Sequence, residues 1–134
     1  MKVALGIDIG GSGIKGALVD TKRGKMVTDR YRIPTPRPAT PDAVIATVDQ
    51  IRKHFNYKGP IGIGFPGIVI DGAIYSAVNI HPEWYEFAAN KKISKATGCK
   101  VMVLNDADAA GFAEMRFGAG KKAKGETMIF TLGT

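Results

Sequence analysis

The 134 residues contain one cysteine, two histidines and one tryptophan. Cys99 therefore has no internal disulfide partner, and no Cys/His cluster has the spacing of a zinc site. A chain without disulfides suits a reducing compartment, so a cytoplasmic location is expected. No apolar run is long enough to cross a bilayer. Asp8 and Lys15 interrupt the apolar N-terminal stretch, which argues against a secretory leader. Acids are also scarce, with 12 Asp and Glu against 19 Lys and Arg and a formal net charge of +7. That imbalance favours anionic partners without saying which. Aromatic residues make up 8% and are not interleaved with the basic ones, so a base-stacking surface is missing. Neither nucleic acid nor a membrane is an expected partner.

What is present suits a soluble globular domain: 45% hydrophobic and 23% charged residues, with 17 glycines. The glycines follow no period, so they point to tight turns. Residues 3–9 (VALGIDI) read as a buried strand and 14–20 (IKGALVD) as a second. Residues 25–33 alternate as a half-exposed third, which completes an antiparallel meander. Four prolines in P-T-P-R-P-A-T-P make an extended linker. Thr40 then stands as an N-cap with Pro41 at the first helical position, and apolar residues at helical spacing predict a helix over 41–55. A strand over 60–65 stops at Pro66-Gly67, and 68–75 form a hairpin turning at Asp71-Gly72. A helix is expected within 85–97, a buried strand over 101–104, a helix over 106–117 and a last strand over 128–132. Ending on an apolar strand at Gly133-Thr134 suggests a fragment cut inside a turn.

The opening loop, G-I-D-I-G-G-S-G-I-K-G at 6–16, contains G-x-G-x-x-G. A dinucleotide fingerprint needs a helix after that loop, and residues 14–20 read as a strand. The Gly-Lys-Ser/Thr of a phosphate-binding P-loop is also lacking. What remains is a hairpin turn whose exposed N–H groups can form an anion nest, with glycine where phosphate must approach the backbone closely. Ser12 can add a hydroxyl and Lys15 a point charge. A carboxylate at Asp8 would repel phosphate unless a cation lay between, which implies Mg²⁺ held through water. A plain glycine hairpin with Asp8 as a turn cap is the competing reading.

D-I-G-G-S-G-I-K-G-A resembles the first phosphate motif of the sugar kinase, actin and heat-shock chaperone superfamily. Within it the chain is most similar to the ROK sugar kinases, in particular their polyphosphate glucokinase branch. G-F-P-G-I-V at 64–69, V-N-I-H-P-E-W at 78–84, L-N-D-A-D-A-A-G at 104–111 and F-T-L-G-T at 130–134 follow in the same order. The resemblance implies an α/β, RNase H-like lobe with a mixed sheet, an antiparallel β-meander and flanking helices. Residues 1–134 would be the N-terminal lobe of a kinase that lacks its C-terminal lobe here.

The activity implied is phosphoryl transfer from polyphosphate or ATP, with Mg²⁺, to the 6-hydroxyl of glucose or also mannose. Asp106 would be the general base; as a bare sequence feature it could equally cap its helix. Gly10, Gly11, Ser12, Gly13, Lys15 and Asp8 would bind phosphate, joined by Thr131, Gly133 and Thr134 of a second phosphate motif. Gly67, Asn79, Asn105 and Asp106 would bind the sugar. Asp108 stands where ROK kinases commonly have Asn, a form that looks more like the polyphosphate-using branch. Trp84 reads as core, His54 and His81 as solvated surface groups. The clusters at Lys22-Arg23-Lys25 and Lys121-Lys122-Lys124 read as solvated turns, or as a track for a long polyanion. A homodimer is implied for the full-length protein, and little activity for these residues alone.

Three other readings compete. A dinucleotide-binding oxidoreductase domain requires a helix at 14–20. A sugar-sensing ROK-type repressor would carry an N-terminal helix-turn-helix, which this sequence does not show. A basic nucleic-acid-binding module would need interleaved exposed aromatics or a recognisable motif, and a nuclease on this fold more clustered acids than Asp8 and Asp106.

Overall fold

The structure is a computed structural model that describes residues 2–76 and 80–108. It holds strands β1 (Val3–Ile9), β2 (Gly13–Asp20), β3 (Lys25–Met26) and β4 (Tyr31–Pro34) and helix α1 (Pro41–His54). Strands β5 (Ile61–Phe65), β6 (Val69–Ile70) and β7 (Ala73–Ile74), helix α2 (Ala89–Thr97) and strand β8 (Val101–Asn105) follow. The main sheet runs β3-β2-β1-β5-β8, with β4 also on β2. β1 and β2 are antiparallel, whereas β1, β5 and β8 are parallel, with α1 and α2 in the crossovers. This mixed sheet agrees with the expected fold class. The strand at 14–20 removes the dinucleotide-binding alternative, which needed a helix there.

Alternation along the strands separates two faces. Leu5, Ile7, Ile9, Ile61, Ile63, Phe65, Val101 and Val103 are buried on one, against Val44, Val48 and Ile51 of α1 and Ile93 of α2. Gly16 has its Cα under the Ile51 side chain, so α1 reaches the sheet with no methyl group in between. Trp84 is fully buried, as expected, and its indole N–H donates to the Ala39 carbonyl at 2.9 Å. Thr40 accepts the Ala43 N–H at the start of α1, as its sequence position predicts. The Asp71-Gly72 turn has both φ angles positive, at 50° and 77°, which matches the strand twist of a tight hairpin.

Two expectations change. The third strand is split into β3 and β4, because the Thr28 hydroxyl accepts the Leu18 N–H that a ladder carbonyl would otherwise take. The chain leaves β2 there and rejoins it at Tyr31. His81 is only partly exposed, and its ring accepts the Glu83 N–H to cap a short 3₁₀ turn at Pro82–Trp84. His54 is exposed but stacks on Tyr31, with ring centroids 3.7 Å apart.

Tyr57 ties the first parallel pair together, its hydroxyl lying 3.0 Å from Val3 O and 2.9 Å from Pro60 O. Chemical denaturation should register both the core and this tie. Leu5→Ala should cost about 2–5 kcal/mol through the cavity left in the core. Tyr57→Phe should cost about 1 kcal/mol, the usual net value of a lost hydrogen bond.

Candidate functional site

The carboxyl ends of β1, β5 and β8 lie side by side. Asp8 pairs across with Gly64, and Gly64 with Leu104. Asp8 is the outward-facing residue between buried Ile7 and Ile9, so the strand period itself turns its carboxylate away from the core. Asp106 follows β8 directly and opens a helical turn at 106–108. A methyl group added at Gly64 would lie 3.6 Å from Asp8 Oδ1 and 3.8 Å from Asp106 Cβ. The two acids therefore flank one glycine. Both line a groove of about 440 Å³ on the sheet face opposite α1, floored by Gly6, Gly62 and Gly64 and reached by Lys15 and Arg30. Glycine at alternate positions of β5 leaves room for a ligand to approach the backbone there.

Lys15 is the cross-strand partner of Asp8, so the two opposite charges sit on the same face. Between them the chain turns through Gly10–Gly13. Only one backbone bond spans this turn, from Gly10 N–H to Gly13 O at 3.0 Å. Gly11 and Ser12 at its tip are exposed. The side toward β4 is occupied: Arg32 Nη2 donates to Ser12 O at 2.9 Å, and the Thr35 hydroxyl donates to Gly10 O at 2.6 Å. The Arg32 guanidinium also lies against Gly13 Cα, where any side chain would displace it.

Asn105 joins the strand end to the Pro66-Gly67 turn. Its Nδ2 donates to Gly67 O at 2.6 Å, and its Oδ1 accepts Ala107 N–H at 3.0 Å and Asp108 N–H at 3.3 Å. Asn105, rather than Asp106, is thus the N-cap of the following turn. Among the described residues the Asp106 carboxylate accepts the adjacent Ala107 N–H alone, at 2.8 Å, and it is exposed at the groove. The Gly67 N–H donates to Phe65 O at 2.9 Å, so it faces its own turn. A Cβ at Gly67 would run into the Ser76 carbonyl, so the turn has space only for glycine.

Of the residues named from sequence, Asp8, Lys15 and Asp106 line one groove, the Gly10–Gly13 turn lies at the end of β1, and Asn105 and Gly67 are bonded to each other. Asn79, Thr131, Gly133 and Thr134 lie outside the described residues, as do Lys121, Lys122 and Lys124 and the segments expected at 109–117 and 128–132. Lys22, Arg23 and Lys25 are exposed around a turn held by Asp20, whose Oδ1 accepts the Lys22 and Arg23 N–H groups. Sequence reasoning missed Gly64, although glycine at 62 and 64 inside a strand was an available signal. It also missed Arg32 and Thr35, which no local pattern marks. Among the described residues, no group of three or more His, Cys, Asp or Glu side chains could hold a metal ion by itself. No helix among them is long and apolar enough to cross a membrane.

Comparison with known proteins adds a second line of evidence. Residues 4–134 match the profile of the ROK family. A polyphosphate glucokinase of Mycobacterium tuberculosis is 45% identical over 130 residues, which are 96% of this chain and 49% of the relative. The crystal structure of an inorganic polyphosphate/ATP-glucomannokinase from Arthrobacter superposes with a TM-score of 0.87 at 42% identity, over 93% of this chain and 52% of that one. A ROK glucokinase from Streptomyces griseus, solved with glucose and AMPPNP, gives 0.78 at 30% identity, over 90% and 38%. The chain thus spans about half the length of these relatives, or less.

Asn105→Ala should remove both the cap and the tie to Gly67, at a cost of about 1–2 kcal/mol. Asn105→Asp keeps the cap but cannot donate to Gly67 O, so urea titration should place it between the two.

Proposed function

Because the chain belongs to the ROK family, we propose that it forms the phosphate-binding lobe of a sugar kinase. The reaction is phosphoryl transfer from polyphosphate or ATP to the 6-hydroxyl of glucose, with mannose as a further acceptor. The observation that carries this reading is the pair of acids flanking Gly64 beside an open glycine turn. Phosphoryl transfer asks mainly for alignment, charge neutralisation and one acceptor for the hydroxyl proton, and this arrangement has a part for each.

Asp106 is the proton acceptor. It is exposed at the groove and is free of the capping role that Asn105 performs. As the sugar O6 bonds to phosphorus, its proton passes to Asp106 and the bridging oxygen leaves with the shortened donor. The Gly10–Gly13 turn and Ser12 hold donor phosphate by backbone and hydroxyl donors, and Lys15 supplies a positive charge from the same face. Asn105 and Gly67 shape the sugar's seat, and Asn79 adds a contact. Thr131, Gly133 and Thr134 grip the phosphate chain from the other side of the cleft.

Mg²⁺ suits the donor set: the Asp8 carboxylate is a hard oxygen ligand that leaves the rest of the shell to water and phosphate oxygens. Asp8 would hold it through water, and when bound it would neutralise phosphate charge. The strand at 14–20 and the likeness to polyphosphate and ATP glucokinases support this reading over dinucleotide chemistry. A second lobe, a homodimer and a cytoplasmic location complete the proposal.

Amide spectra of the labelled chain test it, with Mg-ATP, inorganic polyphosphate and NAD titrated separately. The Gly10–Gly13 amides should move with the first two and ignore NAD, and a response to NAD alone would overturn the reading. Asp8→Asn should bind polyphosphate without Mg²⁺ at least as well as the parent, yet lose the gain that Mg²⁺ brings. In a coupled assay the 134 residues alone should phosphorylate glucose slowly or not at all, since half the cleft lies elsewhere. Rapid turnover would contradict the two-lobe proposal.

A further inference from the structure

A two-residue hairpin turn normally closes with a reciprocal pair of backbone bonds between its flanking residues. Here Gly10 N–H donates to Gly13 O, but among the described residues the return bond from Gly13 N–H to Gly10 O is absent. Gly10 O instead accepts the Thr35 hydroxyl at 2.6 Å. Thr35 is only 8% exposed and also donates its backbone N–H to Ser12 O at 3.3 Å. Arg32 takes a second lone pair of Ser12 O at 2.9 Å.

The trans peptide gives these bonds a consequence. Carbonyl and N–H of one peptide unit point in opposite directions. Drawing Gly10 O toward Thr35 turns the Gly11 N–H away from it, and drawing Ser12 O toward β4 turns the Gly13 N–H away from that strand. Gly10 O is also withheld from Gly13, so that donor stays free of the turn's own acceptor. We infer that Thr35 is a positioning residue for phosphate. By occupying the Gly10 carbonyl, its hydroxyl keeps the glycine turn open and aims the exposed Gly11 N–H at an incoming phosphate oxygen, while the N–H of buried Gly13 is left without the turn's own acceptor. Arg32 steadies the same turn through Ser12. The inference rests on the phosphate-loop reading above. It adds that the loop's donor geometry is set by Thr35, just past the end of β4 and 25 residues from Gly10 in sequence.

The test titrates inorganic tripolyphosphate into the ¹⁵N-labelled chain and its Thr35→Val and Thr35→Ser variants, following the Gly11 and Gly13 amides. Val matches threonine in shape but has no hydroxyl, so Gly10 O can turn back to Gly13 N–H. Thr35→Val should weaken tripolyphosphate binding about tenfold, the equivalent of one well-placed hydrogen bond. Thr35→Ser, which retains the donor, should restore it. The Gly10 carbonyl carbon should shift in Val and not in Ser, a change that loss of packing alone would not produce. Equal binding by parent and a folded Val variant overturns the inference alone, as does loss of binding in a folded Ser variant. No response from the parent overturns the phosphate-loop reading and this inference with it. Hydrogen exchange on the parent keeps the test independent of variant folding: the free chain should exchange the exposed Gly11 N–H rapidly, and tripolyphosphate should slow it. A Gly11 amide already protected without ligand overturns the inference.

Discussion

Register across β1, β5 and β8 aligns Asp8 with Gly64 and Gly64 with Leu104, and it brings Asp106 to the same rim. Everything proposed for the site depends on that parallel pairing. A slip of one residue would turn Asp8 into the core and expose Ile7 or Ile9. The register is held by the buried face. Leu5, Ile7 and Ile9 pack in one core with α1 and with Ile61, Ile63 and Phe65, which a one-residue slip would break up. Packing on one face thus positions chemistry on the other.

The open face is built from absences of side chain. Gly6, Gly62 and Gly64 leave a floor of bare backbone, and the acids and Lys15 stand around it. Each glycine weakens a strand by roughly 0.5–1 kcal/mol relative to alanine. In the proposed kinase such residues let a ligand come close to the sheet at its carboxyl end, where parallel strands commonly place ligands. The same logic holds at Gly67, whose space is filled by the Ser76 carbonyl and whose own carbonyl anchors Asn105.

Side chains also replace backbone partners, and three such bonds shape the site and its surroundings. Thr28 takes the Leu18 N–H, Thr35 takes the Gly10 carbonyl, and Asn105 takes the Gly67 carbonyl while capping the next turn. In each case a strand ends or a turn stays open where regular pairing would have continued. These substitutions divide the third strand, hold the glycine turn open and release Asp106 from capping. They connect residues far apart in sequence, so neither periodicity nor propensity reveals them.

Local pattern alone determined β1, β2, α1, β5, the Asp71-Gly72 turn and β8, because alternation, an N-cap followed by proline, and paired turn residues act within a few positions. It also identified Asp8, the glycine turn and Asp106 as chemical groups, and the resemblance to ROK kinases assigned them roles. Tertiary structure decided what those groups touch. Only the folded sheet puts Gly64 between Asp8 and Asp106, makes Asn105 the cap, and brings Thr35 and Arg32 onto the back of the turn. The reason is physical: a residue's partners across a sheet are set by register and packing between distant segments, while a sequence displays only the preferences of neighbours.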